Sequence, residues 1–379
     1  MSRPVYLDYN ATTPVAPEVA EAMQPFLHTQ FGNPSSSHDR GQSARAAVFE
    51  ARREVAALIG ATPEEIIFTG CATEANNLAL LGVAAATGPE PGHLVISAVE
   101  HPAVMQPALH LRQRGWDVSV VPVDGYGRVA PEAVAAALRP ETVLVSIMHA
   151  NNEVGTMQPV AEIAALTRPR NIRLHTDAAQ SAGKIAVNVD ALGVDLLTLA
   201  GHKFYATKGI GVLYVRAGTP IQAITFGADQ ERGLRPGTEN VPAIVGLGVA
   251  ARLARERLPE ATVQLQRWRD RLHTRLVATI PGLVLNGHPD ERLPNTLHLS
   301  FPDVTGRMLL QAASGEVAAS LGSACHSEHD TVSGVLAAMG IDTARAAGAV
   351  RLSVGMMTTD EDIDRAAARL IAAWRQLTR

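Results

Sequence analysis

From about residue 64 to residue 217 the chain alternates between short apolar runs and segments of helical spacing. The runs are EEIIFTG (64–70), HLVISAV (93–99), DVSVVPV (117–123), TVLVSIM (142–148), NIRLHTD (171–177), DLLTLAG (195–201) and GVLYVRA (211–217). Helical patterns such as EANNLALLGVAAA and PEAVAAALR lie between many of them. Short apolar, often β-branched runs bounded by turn residues read as strands buried on both faces. Their alternation with helices predicts an α/β domain with a mostly parallel sheet. The last two runs are joined too tightly for a helix, which predicts one antiparallel strand. Upstream, GQSARAAVFEARREVAALI (41–59) has the spacing of an amphipathic helix.

The pattern changes after a Gly/Pro-rich loop over 218–240. Helices are predicted at about 241–257 and 260–279. Beyond Pro281 come strand NTLHLSF, helix GRMLLQAAS, loop GSACHSEHDTVS, helix GVLAAMG, strand VRLSVG and a terminal helix from about Asp360. This reads as a smaller α+β domain. The predicted division is a large domain over 12–257 and a small domain built from 1–11 and 258–379.

Composition narrows the function classes. Against 37 acidic residues stand 33 lysines and arginines, a formal charge of −4, which does not suit a general nucleic-acid binder. No apolar run approaches the ~20 residues that span a bilayer, so no membrane partner is expected. The start, MSRPVYLDYN, lacks the apolar region of a signal peptide. Two cysteines far apart, Cys71 and Cys325, make no disulfide framework and suit a reducing cytoplasm. Only three of the basic residues are lysines: Lys184, Lys203 and Lys208. Arginine stays charged, whereas a lysine can lose its proton when buried and form a Schiff base. A solvated surface charge is the plainer reading of each.

Ligands of open α/β sheets gather at the carboxyl ends of the strands. Five ends here carry polar groups: Cys71-Ala72-Thr73-Glu74, Glu100-His101, His149-Ala150-Asn151-Asn152-Glu153, Asp177 with Gln180, and His202-Lys203. Thr73 reads as a helix N-cap, at a helix start fit for phosphate. Taken singly, Thr73 is an ordinary cap, His101 a core histidine, Asp177 a salt-bridge partner, and Asn152 and Gln180 turn formers. Dinucleotide and Walker chemistry do not fit, because GIGVLY lacks the third glycine of its motif and SAGKIAV lacks the hydroxyl after Gly-Lys. An amine, a phosphate-binding helix start, an acid and an imidazole together suit pyridoxal 5'-phosphate.

The motifs YLDYNATTPV (6–15), FGNPSSSH (31–38), ATEANN (72–77), EH (100–101), NNEVG (151–155), HTDAAQ (175–180), GHKFYATKGIG (201–211), RPGTEN (235–240), GSACHS (322–327) and RLSVG (351–355) follow one another over nearly the whole chain. In this order and spacing they resemble the NifS/IscS-like cysteine desulfurases and the selenocysteine lyases, fold-type I pyridoxal-phosphate enzymes of the class V aminotransferase superfamily. The resemblance implies that fold, with a mainly parallel seven-stranded sheet in the large domain. It implies Lys203 as the Schiff-base lysine, Asp177 on the pyridinium nitrogen, Gln180 on the ring hydroxyl and His101 stacked on the ring. Ala72, Thr73 and His202 fall at the phosphate. Thr238 matches a phosphate ligand supplied by a partner subunit, so a homodimer is implied. Asn152 and Arg351 match the substrate-carboxylate site, and Cys325 the thiol that accepts sulfur. The implied reaction turns L-cysteine into L-alanine and leaves a persulfide on Cys325 for a sulfur-acceptor protein, with iron–sulfur cluster assembly among the destinations.

Some positions depart from the pattern. Ala200 stands where serine is common. Cys71 replaces glycine or alanine and is expected to be a small buried residue. Met356 and Met357 replace an arginine–aromatic pair. Lys184 and Lys208 read as structural or phosphate-side charges. Selenocysteine lyase is the rival reading, because RPGTEN, GHKFY and CHSEH look like the lyase motifs and a selenol leaves more easily than a thiol. Cys325, His326 and His329, with Glu328 and Asp330 between them, also have metal-ligand types, so a zinc site is a further alternative; the resemblance itself implies no metal. A non-enzymatic carrier or scaffold would need a missing catalytic group, and none is missing.

Overall fold

A computed structural model describes residues 3–88, 90–321 and 333–379. Among these residues the strands, in chain order, are β1 (Val5–Tyr6), β2 (Ile66–Thr69), β3 (His93–Ser97), β4 (Asp117–Val121), β5 (Thr142–Ser146), β6 (Arg173–Asp177), β7 (Leu196–Ala200), β8 (Gly211–Val215), β9 (Val284–Asn286), β10 (Thr296–Ser300), β11 (Val317–Ala318) and β12 (Ala349–Ser353). The helices are α1 (Pro17–His28), α2 (Asp39–Ile59), α3 (Ala72–Ala86), α4 (Pro102–Gln113), α5 (Pro131–Ala137), α6 (Val160–Thr167), α7 (Val189–Leu192), α8 (Val241–Val277), α9 (Gly306–Ala312), α10 (Gly334–Ala338), α11 (Thr343–Ala347) and α12 (Asp360–Leu377).

All seven apolar runs form one sheet, in the order β2-β8-β7-β6-β5-β3-β4. β8 pairs antiparallel with both β7 and β2, as the tight connection predicted, and the other pairs are parallel. β3, β5, β7 and β8 contribute buried side chains to both faces, consistent with helices on both sides. One face carries Val95, Val145, Leu174, Leu197 and Val212 against α2 and the first half of α8. The other carries Ile67, Leu94, Ile96 and Leu213 against α3 and α4. Gly211 lets the start of α3 settle on the sheet: a Cβ there would lie 2.5 Å from the Cys71 carbonyl carbon and 2.8 Å from Ala72 N.

A second core gathers Val5, Leu7, Leu265, Leu272, Leu299, Val350 and Leu370 around the antiparallel sheet β12-β10-β9. The two helices predicted at 241–257 and 260–279 are one helix of 37 residues, which runs through Pro259. Its first half packs in the large core through Ile244 and Leu247, and its second in the small core through Leu265 and Leu272. Anchorage at both ends outweighs the missing N–H of one proline, a cost of about 3 kcal/mol in an unsupported helix. Segment 7–13 runs between the cores: Asp8 bridges to Ser353, and Thr13 donates its N–H to the His202 carbonyl at 3.0 Å.

Candidate active site

The carboxyl ends of β2, β3, β5, β6 and β7 converge on a cavity of about 660 Å³. Lys203, Asp177, His101, Ala72, Thr73, Asn152, Gln180, His202 and Arg351 all line it. That volume falls within the range of small-molecule sites. Thr238 is exposed and lies outside its own chain's cavity. Cys325 and its neighbours His326, Glu328, His329 and Asp330 lie outside the described residues.

Lys203 ends a single 3-10 turn that follows β7. Its Nζ donates to the main-chain carbonyls of Asn10 at 2.6 Å and Ala11 at 2.8 Å. Asp177 is the last residue of β6 and is buried. Its Oδ2 accepts from Asn76 Nδ2 at 2.7 Å and its Oδ1 from Ala179 N at 2.9 Å. Two neutral donors orient the carboxylate while its charge remains available to a cationic ring nitrogen. His101 caps α4 by accepting Ala103 N at Nδ1, 3.1 Å. A ring that accepts at Nδ1 carries its proton on Nε2. Burial lowers the His101 pKa; the charge of Asp177 opposes this and that of Lys203 adds to it. His202 is lowered to about 4, first by burial and then by Lys203 and Lys208. Its Nδ1 meets Thr12 Oγ1 at 3.1 Å.

The start of α3 differs from expectation. Cys71, not Thr73, is the N-cap; its Sγ accepts Glu74 N at 3.5 Å and Thr73 lies in the first turn. The cap moves because Glu74 Oε2 takes Gly70 N at 2.6 Å while Glu74 Oε1 holds Arg235 Nε at 2.8 Å, which fixes the turn ahead of the helix. Cys71 is exposed at the cavity wall rather than buried. Cys71, Ala72 and Thr73 at the helix start nonetheless line the cavity, and a helix start favours an anionic group such as phosphate.

Arg351 comes from β12 of the second core and is buried. Its Nη2 pairs with Asp8 Oδ1 at 2.8 Å and its Nη1 donates to Asn152 O at 2.8 Å. The guanidinium therefore enters the cavity already oriented. Lys184 is buried beneath Gln180, a placement that suits a structural charge, while Lys208 is exposed. Met356 and Met357 are exposed beside a separate hollow of about 150 Å³ with Phe204 and Tyr205.

Three residues that position the site carried no assigned role in the sequence: Asn10, Asn76 and Glu100. All lie within motifs that were singled out there. An asparagine pair inside a helix, Asn76-Asn77, is the one local signal, because asparagine is a poor helix former. Glu100 is buried, with Oε1 accepting from Ser97 Oγ at 2.6 Å and Met148 N at 2.9 Å.

The residues fit pyridoxal phosphate on these grounds: an amine that meets two neutral carbonyls, an oriented buried carboxylate, an imidazole and a helix start all line one cavity. No helix among the described residues is long and apolar enough to cross a membrane.

A family model described as Aminotransferase class-V matches residues 5–366. A protein from Dictyoglomus turgidum named cysteine desulfurase IscS is 45% identical over 365 residues, which cover 96% of this chain and 93% of that one. A cysteine desulfurase IscS from Methanosarcina thermophila is 43% identical, covering 96% and 90%. Among solved structures, a NifS-like protein superposes with a TM-score of 0.92 at 38% identity, covering all of both chains. One described as SspA in complex with cysteine gives 0.84 at 37% identity, covering 94% of this chain and 100% of that one.

Proposed function

We propose, from the premise that this chain belongs to the aminotransferase class-V family and is a cysteine desulfurase, the way its own residues carry out that reaction. Lys203, Asp177, His101, Gln180, His202 and the start of α3 hold pyridoxal phosphate, and Asn152 with Arg351 hold the carboxylate of L-cysteine. When bound, the cofactor supplies an electron sink for the negative charge left when the substrate Cα loses its proton. Asp177 keeps a proton on the ring nitrogen by charge. Lys203 moves protons to and from the substrate carbon, its amine positioned in the cavity by contacts to the Asn10 and Ala11 carbonyls. His101, whose pKa burial lowers, covers the ring and excludes water. The Cys325 thiolate attacks the substrate sulfur; the C–S bond breaks, its electron pair goes to the carbon, and a proton completes alanine. The sulfur stays on Cys325 as a persulfide for an acceptor protein.

The observation that carries the reading is the meeting of Lys203, Asp177 and Arg351 in one cavity, from two different cores. The exposure of Thr238 outside that cavity supports a homodimer in which it serves the other copy's phosphate. The two distant cysteines support a reducing, cytoplasmic location. The relatives carry the sulfur name, so L-cysteine is the proposed substrate. Alanine formation from L-cysteine and L-selenocysteine, measured side by side with enzyme and pyridoxal phosphate, tests it. Turnover of selenocysteine alone would replace this reading by the lyase.

A further inference from the structure

The turn that follows β6 folds back through Gly183, whose φ of +75° is the left-handed region glycine enters without strain. Gly183 allows no side chain in any case, since a Cβ would lie 2.8 Å from Phe204 Cβ. The next residue, Lys184, thereby returns beneath Gln180, and its carbonyl is fixed by Thr262 Oγ of α8 at 2.8 Å. Its Nζ has two acceptors, Gln180 Oε1 at 2.9 Å and Asn10 Oδ1 at 3.1 Å. Both are neutral amide oxygens, and among the described residues no carboxylate is a hydrogen-bond or ion-pair partner of this amine. Lys184 and Gln180 are each 5% exposed and Asn10 1%. An ammonium in such a place is costly, and burial, with the charges of Lys203 and Arg351, lowers its pKa well below the usual lysine value. A buried amine this expensive calls for a reason beyond packing.

The network supplies one. Gln180 Nε2 donates to the Asn10 carbonyl at 3.0 Å, and that same carbonyl accepts Lys203 Nζ at 2.6 Å. A carbonyl only accepts, so the amide nitrogen faces it and the amide oxygen faces Lys184. One Nε2 hydrogen is used; the second has no protein acceptor among the described residues, and Gln180 lines the cavity. Asn10 is fixed in turn: its Nδ2 reaches Thr296 Oγ1 at 2.8 Å and Asn152 O at 3.3 Å, and its Oδ1 accepts Asn295 Nδ2 at 2.9 Å.

We propose that Lys184 is a positioning residue which, with the Asn10 carbonyl, locks the Gln180 amide so that an N–H donor, not an oxygen, is offered to the cofactor's ring oxygen. The inference rests on the pyridoxal-phosphate reading of the cavity. Without the amine, Gln180 Oε1 loses its buried donor, and the amide gains by turning that oxygen toward the polar cavity. An acceptor would then meet an anionic ring oxygen where a donor had stabilised it.

The test is a double-mutant cycle read on the pH titration of the bound cofactor's visible absorption, with thermal melting as the check on folding. Lys184→Met keeps the aliphatic stem and removes only the amine. It should raise the midpoint by about one pH unit, the scale of one hydrogen bond to a charged oxygen, and weaken cofactor retention about tenfold. Gln180→Ala should do the same. Lys184→Met in the Gln180→Ala background should add nothing. A wild-type midpoint in Lys184→Met overturns the proposal. So does a shift that adds in full to that of Gln180→Ala, since Lys184 would then act through its charge and not through the amide. If Lys184→Met does not fold, Lys184→Gln enters the same cycle, where coupling supports the lock and additivity overturns it. Failure of the wild type to bind pyridoxal phosphate would instead remove the functional reading on which the inference stands.

Discussion

The two walls of the cavity are built differently. The large-core wall consists of strand ends: Asp177 closes β6, and Lys203 and His101 follow β7 and β3 within a few residues. Each is positioned by its own strand and by neutral groups, two carbonyls for Lys203 and two N–H donors for Asp177. The small-core wall offers Arg351 from within β12, held by the charge of Asp8 and by the Asn152 carbonyl. Neutral partners let the Lys203 amine change its protonation during a reaction and leave the Asp177 charge for a cationic cofactor nitrogen. A charged partner fixes a group whose task is to stay charged and bind. The first wall is therefore suited to chemistry and the second to recognition, which mutant kinetics can separate.

The largest effect is expected at the chemical wall. Lys203→Ala should lower alanine formation from L-cysteine by about 10³-fold or more and abolish the lysine-dependent visible absorption. Lys208→Ala, at an exposed position, should keep both. Full activity in Lys203→Ala would end the pyridoxal-phosphate reading. At the recognition wall, Arg351→Gln removes the charged hydrogen-bond donor proposed for the substrate carboxylate, worth about 1.5–3 kcal/mol, or ~10- to 100-fold in binding. It should raise KM for L-cysteine by that factor and lower kcat less. A fall in kcat at unchanged KM would break the division between the walls.

The large-core wall was legible because an apolar run followed by a polar turn is a local pattern. Seven runs gave seven strands, and five polar strand ends met in space. The supporting residues were not legible in the same way. Lys184 and Asn10 are 174 residues apart, and Asn76 and Asp177 101 apart. Hydrogen bonds between such pairs leave no periodicity. Arg351 in RLSVG had its role only through the resemblance, since a buried arginine inside an apolar strand has no local explanation until Asp8 is beside it. The errors have local causes. Threonine outranks cysteine as a cap in general, but Glu74 and Arg235 reshape the turn before α3. Proline ends most helices, but Pro259 sits between two anchored halves.

A pH experiment sharpens the contrast from beneath the chemical wall. Burial pushes the Glu100 carboxyl up to about 8; hydrogen bonds from Ser97 and Met148 oppose this, and the charge of Asp177 adds to it. Between its ordinary value and 8 the folded protein holds a proton there that the unfolded chain has lost. Its contribution to stability is thus complete below about pH 4.5 and is lost as pH rises through 8. Denaturant melts from pH 5 to 8 should show a decline of about 1 kcal/mol per pH unit from this group, and Glu100→Gln should flatten it. An unchanged slope in the variant would mean that Glu100 is ionised in the folded protein.

The smallest expected effect concerns Cys71, the thiol exposed at the chemical wall. Its backbone has the extended conformation of an N-cap, and its Sγ accepts Glu74 N at the long distance of 3.5 Å. Sulfur is a weak acceptor, whereas a serine hydroxyl is among the preferred caps. Cys71→Ser should therefore stabilise the protein by about 0.5–1 kcal/mol in thermal or denaturant melts, within the usual worth of a cap. Its effect on alanine formation should be small, because the sulfur-accepting role is assigned to Cys325. Mass spectrometry after mixing with L-cysteine should find the added sulfur on Cys325 in both wild type and variant. If Cys71→Ser instead stops turnover, or the sulfur maps to Cys71, the chemical wall supplies its own nucleophile and the Cys325 assignment falls.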